Sequence, residues 1–127
     1  MKKLLFTALI VLVSANTIKA SNTIEAPIKT SVEYVKLSTF CEMIKQGNYE
    51  SVKAFINNGT NINRKSMGLT PVMFAARYNK VKILKLLISN GAKLKTKSNK
   101  GYTALQYAKM SKANEAYEVL KGALEKN

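Results

Sequence analysis

The chain says the same thing more than once, at a spacing of 32 to 33 residues. Asn57-Asn58-Gly59-Thr60-Asn61-Ile62-Asn63 lines up with Ser89-Asn90-Gly91-Ala92-Lys93-Leu94-Lys95 at an offset of 32, and Gly68-Leu69-Thr70-Pro71-Val72-Met73-Phe74-Ala75-Ala76 with Gly101-Tyr102-Thr103-Ala104-Leu105-Gln106-Tyr107-Ala108-Lys109 at 33. Self-similarity at this period marks stacked supersecondary units, none of which can bury its apolar face alone. The fold is thereby restricted to a stack with one shared interior. Stacks of this kind hold partners more readily than they turn over substrates.

Each unit carries helix punctuation. Ser38 can cap a helix over Phe40, Cys41, Met43 and Ile44 that stops at Gly47, and Glu50 to Asn58 spaces Val52, Phe55 and Ile56 helically before Gly59. Thr70 can cap the next helix, with Pro71 at the first helical position, where its missing N–H costs nothing. Val81 to Ser89 places Val81, Leu84, Leu87 and Ile88 on one face, and Asn90-Gly91 ends it. In the third unit Thr103 and Gln106 make a capping box, and Asn114 to Glu125 supplies a last, more polar helix suited to the end of a stack. Helices of two to three turns are marginal alone in water, so packing must hold them.

The N-terminus reads differently. Met1-Lys2-Lys3 precedes a ten-residue run, Leu4 to Val13, broken only by Thr7 and followed by small residues. This is the pattern of a secretory signal peptide, expected over residues 1–20, with cleavage sites that fit after Ala15 and after Ala20. An uncleaved anchor is the competing reading, although the run falls short of the roughly 20 apolar residues a span requires. The polar stretch 21–36, with Pro27, reads as a linker, and 37–127 as the folded domain, in units of about 37–66, 67–99 and 100–127. The mature chain is expected to be exported, periplasmic or secreted, with no transmembrane span.

Composition excludes more than it selects. The chain has no His, no Asp and no Trp, and its acids are seven glutamates. Catalytic triads and imidazole metal sites are therefore impossible. Glu115 and Glu118, three apart near Lys112 and Lys121, read as a solvated helix surface rather than a catalytic pair. No enzyme, cofactor or metal site is expected. Cys41, the single cysteine, allows no internal disulfide and is expected to be buried, the alternative being pairing with another chain. Net charge is +14, or +11 once Lys2, Lys3 and Lys19 leave with the signal. Such a chain attracts polyanions, while a lysine-rich composition kept for solubility explains the charge equally well.

The run Gly68-x-Thr70-Pro71-Val72-x-x-Ala75-Ala76, followed by Val81-x-x-Leu84-x-x-Leu87-Ile88-x-x-Gly91-Ala92, resembles the ankyrin repeat family. The resemblance covers about Leu37 to Leu124 and is looser in the flanking units. It implies an all-α solenoid of about three helix-turn-helix repeats with short β-like finger turns. Two departures stand out. Met73 and Gln106 replace the family's frequent histidine, and Lys, Ser or Asn replaces its frequent aspartate before Gly68 and Gly101. Both changes predict lost polar links between repeats and a marginally stable array.

In that family partners bind the concave surface of fingers and first helices. Carried onto this chain, the first finger holds Arg64, Lys65, Met67 and Leu69, the second Lys95, Lys97, Lys100 and Tyr102, and the first helices contribute Arg77, Tyr78 and Met110. In Lys93-Leu94-Lys95-Thr96-Lys97 an extended backbone would aim three lysines to one side within roughly 14 Å. An anionic partner would offset their repulsion, and a charged edge that resists aggregation is the competing reading.

The expected function is thus a non-enzymatic protein-protein interaction module whose partner is another protein with an acidic surface. The alternative is electrostatic binding to an anionic envelope component, such as acidic lipid, lipopolysaccharide or another glycan. Nucleic acid is disfavoured, because the export signal removes access to it.

Overall fold

Capping signals and apolar periodicity place six helices in the computed structural model, which describes residues 37–126. The expected signal peptide and linker lie outside the described residues. The helices are α1 (Thr39–Gln46), α2 (Tyr49–Asn57), α3 (Pro71–Arg77), α4 (Val81–Ser89), α5 (Ala104–Met110) and α6 (Asn114–Glu125). Among the described residues the only β pairing is one isolated antiparallel bridge, Ser66 to Leu69. The architecture is the all-α helix-pair stack that the sequence predicts.

Local chemistry sets the helix ends. Ser38 Oγ accepts from the Cys41 N–H at 3.3 Å, and Asn48 Oδ1 from the Ser51 N–H at 3.1 Å, each satisfying a donor that has no partner within its helix. The tight turn inside each pair needs one residue in the left-handed region: Gly47 (φ 79°), Asn79 (φ 53°) and Lys112 (φ 56°). Glycine takes this conformation freely and asparagine tolerates it, whereas lysine bears a cost of about 1 kcal/mol. Asn79 also reaches forward, its Oδ1 accepting from the Ala116 N–H at 3.1 Å and so capping a donor in α6 of the next pair.

The stack forms because first helices pack on first helices and second on second. α3 packs against α1 and α5, α4 against α2 and α6, and each pair closes on itself. Ile44, Val52, Val72, Met73, Leu84, Leu87 and Leu120 are fully buried along this shared interior. Ala75, Ala76, Ala104 and Ala108 are fully buried as well, the small side chains that close helix approach requires.

Three expectations need correction. Thr70 holds the N-cap position of α3, its carbonyl accepting from the Met73 N–H at 3.0 Å and the Phe74 N–H at 3.2 Å, but its Oγ1 is buried and makes no hydrogen bond among the described residues, and its N–H meets only Met73 Sδ, at 3.4 Å. Thioether sulfur is a weak acceptor, so Met73 gives the Thr70 N–H only a weak local partner. At the third pair the reverse holds. Gln106 Oε1 accepts from the Thr103 N–H at 2.8 Å and Thr103 Oγ1 from the Gln106 N–H at 3.3 Å, so the glutamine completes the cap.

Polar links between units are not lost overall, because other residues supply them. Ser66 Oγ accepts from the Ser38 N–H at 2.9 Å, and Asn63 Oδ1 from the Lys93 N–H at 2.9 Å. Finally, the segment carrying Lys93, Lys95 and Lys97 is not an extended strand. It bends at Leu94 and Lys95, yet all three lysines are exposed while Leu94 between them is buried.

The two caps yield a paired prediction. Thr70→Val removes an orphaned buried hydroxyl and is expected to leave stability unchanged or raise it by about 1 kcal/mol, whereas Thr103→Val breaks a working cap and should lower it by about 1 kcal/mol. Thermal unfolding followed by circular dichroism measures both. Equal losses would show that the two sites do not differ.

Cys41 is buried, and burial pushes its thiol above the usual range, with a smaller opposing effect from the Ser38 hydrogen bond. A neutral thiol is favoured in the fold, so its contribution is complete below the unfolded thiol pKa and is lost as pH rises through the folded one. In the folded chain Cys41 is expected to resist a thiol-specific dye at pH 8 and to react once urea unfolds it. Prompt labelling without urea would contradict the burial.

Candidate functional site

The two fingers differ in chemistry. In the first, Ser66 N–H donates to Leu69 O at 2.8 Å and Leu69 N–H to Ser66 O at 3.2 Å, closing a two-residue turn over Met67 (φ 51°) and Gly68 (φ 83°). Two positive φ values make this a hairpin turn whose twist matches paired strands. The conformation is unfavourable for methionine, whose side chain is left 66% exposed. Gly68 is required for a second reason: a Cβ there would lie 3.2 Å from Asn99 Cβ and Cγ on the neighbouring finger. The fingers are stitched at this contact. Asn99 N–H donates to Gly68 O at 3.0 Å, and Lys65 Nζ reaches Asn99 Oδ1 at 3.4 Å.

The second finger is one residue longer. Ser98 N–H donates to Tyr102 O at 2.8 Å and Gly101 N–H to Ser98 O at 2.9 Å, with Gly101 at φ 87°. The Ser98 hydroxyl, nearly fully buried, organises the rest. It accepts from the Lys100 N–H at 3.3 Å, the Tyr102 N–H at 3.2 Å and the Tyr107 hydroxyl at 2.9 Å. Tyr107 in turn meets Tyr102 edge-on, with ring centroids 5.8 Å apart at 80°. A residue of α5 thereby fixes the side chain that the finger presents.

Between these fingers and the ends of α3 and α5 lies a groove lined by Met67, Leu69, Arg77, Lys100, Tyr102 and Met110, together with Gly68, Asn99, Tyr107 and Ser111. Six of the eleven residues singled out in the sequence meet there. Tyr102 is 40% exposed and Met110 53%, so the groove offers open apolar surface beside two cations. Tyr78 stands apart, at the end of α3, with Lys45 Nζ 5.6 Å and the Arg77 guanidinium 5.8 Å from its ring centre, within cation–π range. Arg64, Lys65, Lys95 and Lys97 are exposed but do not line the groove.

Sequence reasoning missed Ser98, Asn99, Tyr107, Ser111 and the Lys45 contact. One signal was available: Ser66 and Ser98 recur at the repeat offset, each opening a finger. Nothing local marks Tyr107 or Lys45, because their roles come from stacking. Among the described residues there is no cluster of three or more His, Cys, Asp or Glu able to hold a metal, and no helix long and apolar enough to cross a membrane.

Comparison with known proteins agrees with this fold. The sequence profile of ankyrin repeats (three copies) matches residues 40–127. M-phase phosphoprotein 8 of Rattus norvegicus is 37% identical over 70 residues, as are its counterparts in Mus musculus and Homo sapiens. The match takes in 53% of this chain but only 8% of those proteins, so the chain spans less than a tenth of the curated relatives it matches. Among solved structures, one chain of the complex between the predatory endopeptidase Bd0816 of Bdellovibrio bacteriovorus and the immunity protein Bd3460 is similar. It superposes with a TM-score of 0.64 at 34% identity, over 69% of this chain and 47% of that one.

Proposed function

Because the chain belongs to the ankyrin repeat family, whose members act chiefly by holding other proteins, we propose that it is an exported, non-enzymatic module that docks a protein partner on its finger and first-helix face. The observation that carries the reading is the groove itself. Met67, Tyr102 and Met110 present apolar surface to solvent beside Arg77 and Lys100. Apolar and aromatic anchors ringed by charge are what specific docking uses, the anchors for affinity and the charges for orientation.

The similar chain in the endopeptidase and immunity-protein complex supports a protein as the partner. Together with the signal-like N-terminus it makes an exported hydrolase the partner class to test first. The same N-terminal pattern supports periplasmic or extracellular residence, and mass measurement of the expressed protein tests the export step through loss of residues 1–20.

The direct test is capture from an envelope extract with the purified full chain and with Tyr102→Ala. One partner protein is expected to be retained at moderate salt and to bind the variant roughly 30-fold more weakly, the effect of losing a central aromatic anchor. Retention of anionic lipid or lipopolysaccharide instead, indifferent to Tyr102 and abolished by salt, would overturn the reading in favour of electrostatic attachment.

A further inference from the structure

Charge in this fold is segregated along the stack. Between Glu50 and Glu115 the chain has thirteen lysines and arginines and not one acid. That stretch supplies both fingers, the middle helix pair and the whole groove. Among the described residues, Glu42 accepts a hydrogen bond from Gln46 Nε2 at 3.2 Å on α1, and the other glutamates sit on α2 and α6, the second helices of the outer pairs. Among the described residues no glutamate lines the groove. A single-sign field of this extent works against the compact state through self-repulsion, and carboxylates brought by a ligand relieve it.

The groove also has a floor and walls. Tyr107 is buried and Leu69 half-buried beneath, while Met67, Tyr102 and Met110 stand exposed around them. Methionine walls adapt to a range of apolar shapes, and an edge-packed tyrosine pair keeps one wall in place. Arg77 offers a planar fork that suits a carboxylate, and Lys100 a mobile point charge.

We propose that the groove takes an extended acidic segment of a protein partner. One apolar side chain seats between Met67, Tyr102 and Met110, and carboxylates on either side of it pair with Arg77 and Lys100. The proposal rests on the finger face being the docking surface and adds the chemistry of what docks there.

A random dodecapeptide library displayed on phage, selected against the full chain, tests it. Enriched peptides are expected to carry Asp or Glu flanking one Leu, Met, Phe or Tyr. Their affinity should fall at least tenfold for Arg77→Glu/Lys100→Glu and for Tyr102→Ala, both checked for helix content by circular dichroism. Enrichment with no acidic bias, affinity unchanged by charge reversal, or equal binding of plain polyglutamate or of vesicles containing phosphatidylglycerol would each overturn the proposal. If capture of a partner still depends on Tyr102 while the selected peptides lack acids, the acidic segment fails and the docking face stands. If capture ignores Tyr102, the docking face fails too.

Discussion

Replacing Leu84 with alanine is expected to lower the unfolding free energy by about 3 kcal/mol, enough to leave much of the chain unfolded if the array is as marginal as three repeats imply. Leu84 is fully buried in α4, and α4 packs against α3 of its own pair, α2 before it and α6 after it. The cavity therefore weakens both interfaces between pairs at once. In a linear stack stability is a sum of unit terms and nearest-neighbour terms, so damage in the middle reaches both ends. Leu124→Ala, at a half-buried position near the end of α6, should cost about 1 kcal/mol because only one interface is nearby and the site can relax. Urea unfolding followed by far-ultraviolet circular dichroism compares the two. A Leu84→Ala cost no larger than that of Leu124→Ala, or separate transitions for the outer pairs in wild type, would contradict a single shared interior.

Legibility in the sequence follows the range of the interaction. Val81–Ser89 and Asn114–Glu125 coincide with their expected helices because apolar spacing and stop signals act within a few residues. The Thr103 and Gln106 cap was readable for the same reason. Thr70 misled in part: it takes the N-cap position its residue type suggests, but its buried hydroxyl makes no hydrogen bond, because a cap needs a bond length and direction that residue type alone does not fix. The alternating lysines suggested a strand, yet Leu94 must enter the interior, and the backbone bends to deliver it. The resemblance to ankyrin repeats gathered all six groove side chains named beforehand, but it could not separate Tyr78 from Tyr102. That distinction depends on which side of α3 the neighbouring finger covers, a matter of stacking rather than spacing.

Ser98→Ala should cost about 2 kcal/mol and weaken partner binding together with stability. The hydroxyl removed is the shared acceptor for the Lys100 and Tyr102 N–H groups and for the Tyr107 hydroxyl. The two backbone donors lie near solvent in a finger tip and find water at modest cost. The Tyr107 hydroxyl is buried, and left unpaired it carries most of the penalty. This asymmetry predicts an unusual mutant cycle. Tyr107→Phe alone should cost about 1 kcal/mol, since Ser98 keeps its backbone donors, whereas Ser98→Ala/Tyr107→Phe should be more stable than Ser98→Ala, because the second change removes the orphaned hydroxyl. Binding should divide along a different line. Phenylalanine at 107 preserves the edge-on packing that holds Tyr102, so Tyr107→Phe should bind nearly as wild type, while both variants lacking Ser98 should bind weakly, their finger no longer fixed at its base. Additive losses in stability across the cycle, or full binding by Ser98→Ala, would mean that the serine is incidental and that the finger holds its shape through backbone pairing alone.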